Sequence, residues 1–126
     1  MPVYNNEEVE IFELPGIKHQ TVGGLKQGVE SMEVWMQSIA PGASTPAHCH
    51  DCDEVIIILS GSGECTVAGE TTKFGPNSTL IIKPDVVHDI VNTSSEEMKL
   101  VAALGMGPVR VKTDEGKPLA VPWEQS

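Results

Sequence analysis

The apolar residues of this chain come in short blocks, and each block stops at a turn former. "EVWMQSIA" runs into Pro41-Gly42, "EVIIIL" into Ser60-Gly61, "TLII" into Lys83-Pro84-Asp85 and "KLVAAL" into Gly105. Blocks of this length, rich in valine and isoleucine, suit strands and are too short for packed helices. The 12 glycines and 9 prolines punctuate them at turn-like intervals. Many short strands so spaced imply an all-β sandwich or small barrel. Residues 25–34 could carry one helical turn, but Gly28 argues against more.

A chain of 126 residues suits one compact domain. Residues 1–30 read as an N-terminal arm and loops, ending their first stretch at Pro15-Gly16. Residues 31–112 read as the β-barrel and residues 113–126 as a proline-rich tail. Within 31–112 a strand covers 31–40 and another follows the histidine-rich stretch. A hairpin turns at Ala68-Gly69-Glu70, and two strands in 77–92 join at Pro84-Asp85. Two more occupy 96–105 and 109–113.

The formal net charge is −10, which excludes nucleic acid and anionic membrane as partners. No apolar run approaches the length of a membrane span. The N-terminal "MPVYNNEEVEIFELPG" lacks a basic region followed by an apolar core, so the expected compartment is the cytosol. Three cysteines, an odd number, fit that reducing compartment and argue against a disulfide framework.

The chemistry concentrates in "PAHCHDCDEVIIIL", Pro46 to Leu59. Strand side chains alternate faces, so in an extended segment His48, His50, Glu54, Ile56 and Ile58 all point one way. Two imidazoles and a carboxylate turned inward need a partner, because an unpaired buried charge is costly. A divalent metal is the simplest one, and imidazole with carboxylate suits zinc, manganese, iron or nickel. His88, after the turn at Pro84-Asp85, is a fourth candidate on a later strand. The bland alternative is an ordinary polar strand mouth, with Asp51 and Asp53 solvated. Cys49-x-x-Cys52 reads poorly as a redox pair: the two cysteines have opposite parity and no helix follows. Cys65, Met98 and Met106 read as core residues.

These residues also resemble a known family. Gly42, His48, His50, Glu54 and Gly61 fill the fixed positions of the first cupin motif, G-x5-H-x-H-x3-E-x6-G. Of the second motif, G-x5-P-x-G-x2-H-x3-N, His88 and Asn92 are present. Asn77 and Asp85 stand where its glycines are expected, and Lys83 stands where its proline is. Within the cupins the chain is similar to the plant auxin-binding proteins, from about Gly16 to Val111. The resemblance implies a jelly-roll β-barrel with zinc held by His48, His50, Glu54 and His88. It implies a ligand carboxylate on the metal and a pocket lined by Trp35, Gln37, Thr45, Pro46 and Ile56, with Trp123 over it. The family's secretion and retention signals and its terminal disulfide have no counterpart here, so hormone reception is not carried over with the fold.

Other residues leave alternatives open. Trp123 either closes the pocket or anchors the tail. Arg110 and Lys112 share a strand face and either attract an anionic ligand or sit on the surface. Val55, Ile57 and Leu59 form an apolar row on the outer face, as do Met32, Val34 and Met36. A homodimer mate is the simplest cover for these rows, the N-terminal arm the alternative. Two functions fit: a module that binds a small carboxylate-bearing molecule, aromatic or other, at its metal, or a metal-dependent dioxygenase, isomerase, decarboxylase or lyase for a small organic acid. With three histidines assigned to metal, only His19 in the N-terminal segment remains, so no separate general base is visible.

Overall fold

The computed structural model describes residues 2–124. Among the described residues the fold is all-β, with eleven strands. They are β1 (Phe12–Leu14), β2 (Ile17–Gly23), β3 (Glu33–Ile39), β4 (His48–Cys49), β5 (Glu54–Ser60), β6 (Gly63–Val67), β7 (Glu70–Phe74), β8 (Ser78–Ile82), β9 (His88–Asn92), β10 (Met98–Leu104) and β11 (Lys112–Thr113). Asn6–Glu8 and Leu25–Gln27 are single 3-10 turns. Among the described residues no helix is long and apolar enough to cross a membrane.

The strands form two antiparallel sheets, one ordered β1-β2-β3-β10-β5-β8 and the other β11-β4-β9-β6-β7. The sheets share no strand, so the expected barrel is a two-sheet jelly roll rather than a closed hydrogen-bonded cylinder. Residues 17–23 correct the reading of the first 30 residues as arm and loop. They form β2, which pairs with β3 in the register His19↔Gln37 and Thr21↔Trp35.

Period-two alternation builds the core. Along β5, Glu54, Ile56 and Ile58 are buried while Val55, Ile57 and Leu59 face outward. Ile39 of β3, Leu80 and Ile82 of β8, and Leu100, Ala102 and Leu104 of β10 bury with Ile56 and Ile58. Cys65 of β6 and Ile90 of β9 meet them from the other sheet, in one cluster. Met98 belongs to this core, and Met106 packs against it half-buried. A side chain such as Ile58, fully removed from water, stabilises the fold by about 1.5–3 kcal/mol.

The turns explain the motif positions. Gly42 and Gly61 adopt φ of 79° and 85°, the left-handed region that favours glycine. Asn77 and Asp85, at the second motif's glycine positions, adopt φ of 62° and 63°. Asparagine and aspartate tolerate this region better than other side chains, so the turns survive the replacement. Ala68 and Gly69 both have positive φ and close the tight β6–β7 hairpin.

The N-terminal arm lies on the outside of β2 and β3. Gln20 Nε2 donates to the carbonyls of Asn6 and Val9, and the Asn6 amide reaches Met36 Sδ. The arm joins the sheet at β1, the edge opposite β8. It therefore leaves the outer row of β5 and β8 uncovered, with Ile57, Leu59 and Ile81 exposed.

Gly63 gives a direct test of sheet geometry. A Cβ there would meet the Val91 carbonyl oxygen at 2.1 Å and Met98 Cε at 2.8 Å. Gly63→Ala must open the β6–β9 ladder and should cost about 3 kcal/mol. Gly69→Ala meets no atom within 4 Å and should cost only the left-handed strain, about 1–2 kcal/mol. Urea unfolding of both variants checks the order; equal losses would contradict it.

Candidate metal centre

The site forms where the two sheets face each other, not along one strand as parity alone suggested. His48 sits on β4 in one sheet, and Glu54 opens β5 in the other. The chain crosses between them through His50–Asp53. Backbone bonds pin that crossing: Asp85 N–H donates to the His50 carbonyl and Gly105 N–H to the Asp53 carbonyl. His88 opens β9 and stands directly opposite His48 in the ladder. The segment is therefore bent at the point where it was read as extended, and the residues converge for a tertiary reason.

One ring nitrogen from each of His48, His50 and His88 lies within 4.8 Å of the others. The second nitrogens identify which. His48 Nδ1 is 2.7 Å from the Pro46 carbonyl oxygen, His50 Nδ1 is 2.9 Å from that of Arg110, and His88 Nδ1 is 2.9 Å from that of Val86. A carbonyl only accepts, so each Nδ1 carries the proton and each neutral ring presents a lone pair at Nε2. Glu54 Oε1 lies 3.1 Å from His88 Nε2 and 3.6 Å from His50 Nε2. Neither contact has hydrogen-bond geometry: His50 Nε2, His88 Nε2 and Glu54 Oε1 are buried without hydrogen-bond partners. Three imidazole lone pairs so arranged fit a divalent metal; Glu54 stands beside that cluster and is not part of it. Backbone carbonyls holding Nδ1 are the usual support for such ligands.

The electrostatics favour neutral His48 and His50. Burial pulls the His48 imidazole down to about 4, with His88 adding to the effect. Burial also lowers His50, partly opposed by Glu54. Burial would lower His88 as well, but the Glu54 carboxylate beside it more than reverses this and leaves it raised. Metal binding at the site must release the proton that His88 holds in acidic solution.

The site opens on a cavity with about 50 Å³ of room for the centres of water-sized molecules. All ten residues singled out in the sequence line it: His48, His50, Glu54, His88, Trp35, Gln37, Thr45, Pro46, Ile56 and Trp123. Apart from the metal-centre residues, its lining is apolar or uncharged. Trp123 lines the cavity and is buried, with its ring 5.8 Å from that of Trp35. Arg110 and Lys112 do not line the cavity. They pair with Asp51 at 2.6 Å and Asp85 at 2.7 Å on the surface.

The three cysteines are free and buried. Burial, aided by Glu54, pushes the Cys52 thiol up to about 11, and burial also raises Cys65. Thiols so raised are poor nucleophiles.

Two residues of this region were not assigned a role from the sequence. Glu33 is buried and accepts from Trp35 Nε1 at 2.8 Å and from the Val109 backbone N–H at 2.9 Å, which fixes the indole. His19, placed in the N-terminal segment by the sequence, lies in the wall behind the cavity at 0% exposure. The alternation "IKHQTV" was the available signal for both strand and burial.

Comparison with known proteins gives a consistent picture. A family model described as the cupin domain matches residues 35–104. Auxin-binding protein 1 of Arabidopsis thaliana is 34% identical over 107 residues, covering 77% of this chain and 54% of that protein. Auxin-binding protein T85 of Nicotiana tabacum is 33% identical over 108 residues, covering 76% of this chain and 58% of that protein. The chain thus spans about half the length of the curated relatives it matches. The solved structure of the polyketide cyclase RemF from Streptomyces resistomycificus superposes with a TM-score of 0.75 at 17% identity. That superposition covers 98% of this chain and 89% of the cyclase, and at such low identity it speaks for the fold alone.

Burial holds His19 down to about 3. Its unfolded value is near 6.5, so the unfolded chain takes up a proton that the folded protein refuses between those values. The His19 contribution to stability is complete above pH 6.5 and falls as pH drops, by up to about 1.4 kcal/mol per pH unit. His48 acts in the same sense. His88, raised, contributes below 6.5 and loses its contribution above it. Urea midpoints of metal-free protein at pH 6.5 and 5.0 should differ, and His19→Phe should reduce the difference. Equal midpoints for the wild type would contradict the neutral burial of His19.

Proposed function

The chain belongs to the cupin domain family, and from that premise we propose that it is a metal-binding cupin that holds a small, carboxylate-bearing organic ligand. His48, His50, His88 and Glu54 are the proposed ligands of one divalent metal, zinc by preference. The observation that carries this reading is the set of three Nδ1–carbonyl bonds, which turn three imidazole lone pairs toward one point beside an apolar cavity, with Glu54 Oε1 3.1 Å from His88 Nε2 and 3.6 Å from His50 Nε2. Zinc accepts that donor set, with room for a further ligand if it expands beyond four. A bound divalent cation would supply a positive charge on which an organic carboxylate can rest.

The chain's own residues would do the remainder. Trp35, Ile56 and Trp123 offer an apolar corner for a ring, the two indole planes standing 73° apart. Thr45 ties the rim of the cavity to β9, where Ile90 N–H donates to its hydroxyl at 2.9 Å. Gln37 adds an uncharged polar group. A concave apolar site with a few polar anchors is what small-molecule binding requires. The name of the auxin-binding relatives supports an aromatic carboxylate as the ligand class. Binding is favoured over turnover because, among the described residues and outside the proposed ligands, no titratable side chain lines the cavity. The three free cysteines support a reducing compartment, in keeping with a cytoplasmic protein.

We further assign the outer row of β5 and β8 to a homodimer contact. Val55 is paired with Ile81 in the ladder, and Ile57 and Leu59 continue the exposed apolar face. A two-fold contact lets the same patch cover itself.

Elemental analysis of protein purified without added metal or chelator should find about one divalent ion per chain. His50→Ala should lose most of it and lower the Tm; unchanged stoichiometry would defeat the ligand assignment. Loaded protein should bind phenylacetate by calorimetry without consuming it, whereas oxygen uptake or product formation would replace the binder with an enzyme. Light scattering should give a dimer mass for the wild type and a monomer mass for Ile57→Asp; a monomeric wild type would remove the dimer.

A further inference from the structure

Three side chains on the cavity wall meet at one residue that does not line the cavity. The His19 ring stacks on Trp123, with centroids 3.8 Å apart and planes 10° from parallel. It meets Trp35 edge-on at 4.9 Å. Its Nδ1 lies 2.9 Å from Gln37 Nε2, and its Nε2 lies 2.7 Å from Thr21 Oγ1. Register explains the geometry: His19 is directly opposite Gln37 on β3, and Thr21 is opposite Trp35.

The hydrogen bonds fix directions as well as positions. The NH2 of an amide only donates, so His19 Nδ1 accepts from Gln37. The neutral ring then carries its proton on Nε2 and donates it to the Thr21 hydroxyl. This tautomer is opposite to that of the three metal-centre histidines, whose protons sit on Nδ1. Reversing the Gln37 amide would demand the opposite ring, with Nδ1–H donating to Oε1 and the Thr21 hydroxyl donating to Nε2. In the arrangement present the nitrogen end of Gln37 is tied to His19, which leaves Oε1, an acceptor, as the other end of an amide that lines the cavity.

We propose that His19 is the positioning residue of the ligand pocket: it orients the Gln37 amide and seats Trp123 face-on, and so selects flat ligands that bring a hydrogen-bond donor, a hydroxyl or N–H, to the Gln37 wall. This rests on the carboxylate-binding reading and deepens it. Along β3, Gln37 is level with Ile58 of β5 through Leu100, whereas Glu54 is level with Glu33 through Leu104. The donor-selective group is therefore set apart along the strands from the metal centre. The ligand class that satisfies both ends is an aromatic carboxylate carrying a donor on its ring.

The test compares 4-hydroxyphenylacetate with phenylacetate by calorimetry on metal-loaded protein. The wild type should prefer the hydroxylated acid about five- to tenfold, the effect of one hydrogen bond. His19→Phe keeps a flat ring against Trp123 but frees the amide. It should bind the two acids equally while retaining its metal content. Gln37→Met should likewise abolish the preference, and it keeps the test open if His19→Phe does not fold. A preference that persists in either variant overturns the proposal. Independently, 15N chemical shifts of the wild type should report the Nε2–H tautomer at His19, and an Nδ1–H tautomer overturns the proposal as well. If the wild type binds neither acid, the carboxylate reading fails, and the tautomer measurement still decides what His19 holds in place.

Discussion

Three backbone carbonyls, those of Pro46, Val86 and Arg110, determine what the rest of this structure can do. Each accepts from the Nδ1 of one histidine and so leaves Nε2 bare. The carbonyls come from separate parts of the chain: the loop before β4, the turn before β9 and the segment before β11. They can be in register only if the two sheets face each other as they do. The metal centre is thus a readout of sheet packing, and the Asp51–Asp53 bend is the device that takes the chain from one sheet to the other within four residues of His50. Without the bend, Glu54 would remain on the strand that carries His48.

A second polar system lies behind the first and is built with the opposite tautomer. Glu33 fixes the Trp35 indole, and His19 links Trp35, Gln37 and Trp123. The other polar ends of this system are partnered, apart from Gln37 Oε1 and from Trp123 Nε1, which is buried without a hydrogen-bond partner. A satisfied polar network in a dry interior is rigid, because any movement leaves a donor or acceptor unpaired. This rigidity suits a pocket that selects by shape and by one or two directed hydrogen bonds. The scarcity of charge in the cavity outside the metal centre points the same way.

Much of this was legible in the chain itself. The histidine spacing, Glu54 and His88 marked the centre because few other arrangements account for so many ligating side chains beside one aliphatic strand. Parity along β5 correctly sorted Ile56 and Ile58 from Val55, Ile57 and Leu59, since that strand is regular and one of its faces is buried. Parity failed between His48 and Glu54, because alternation holds only while the backbone stays extended and "HDCD" carries no glycine or proline to announce its bend. β2 was passed over because Pro15-Gly16 and Gly23-Gly24 bracket it so closely that they read as one loop. With it went His19, whose even-handed alternation with Ile17 and Thr21 marked an inward face.

The sequence by itself determined the class of structure and the identity of the chemical groups, because period-two burial, turn residues with positive φ and ligating side chains are local properties. Asn77 and Asp85 keep their turns for the same local reason. Which histidine nitrogen carries the proton, which face Gln37 presents and whether Trp123 lines the pocket were decided only by the tertiary structure. Each of these depends on a partner far along the chain, brought into register by two facing sheets, and no pattern within a strand encodes that distance.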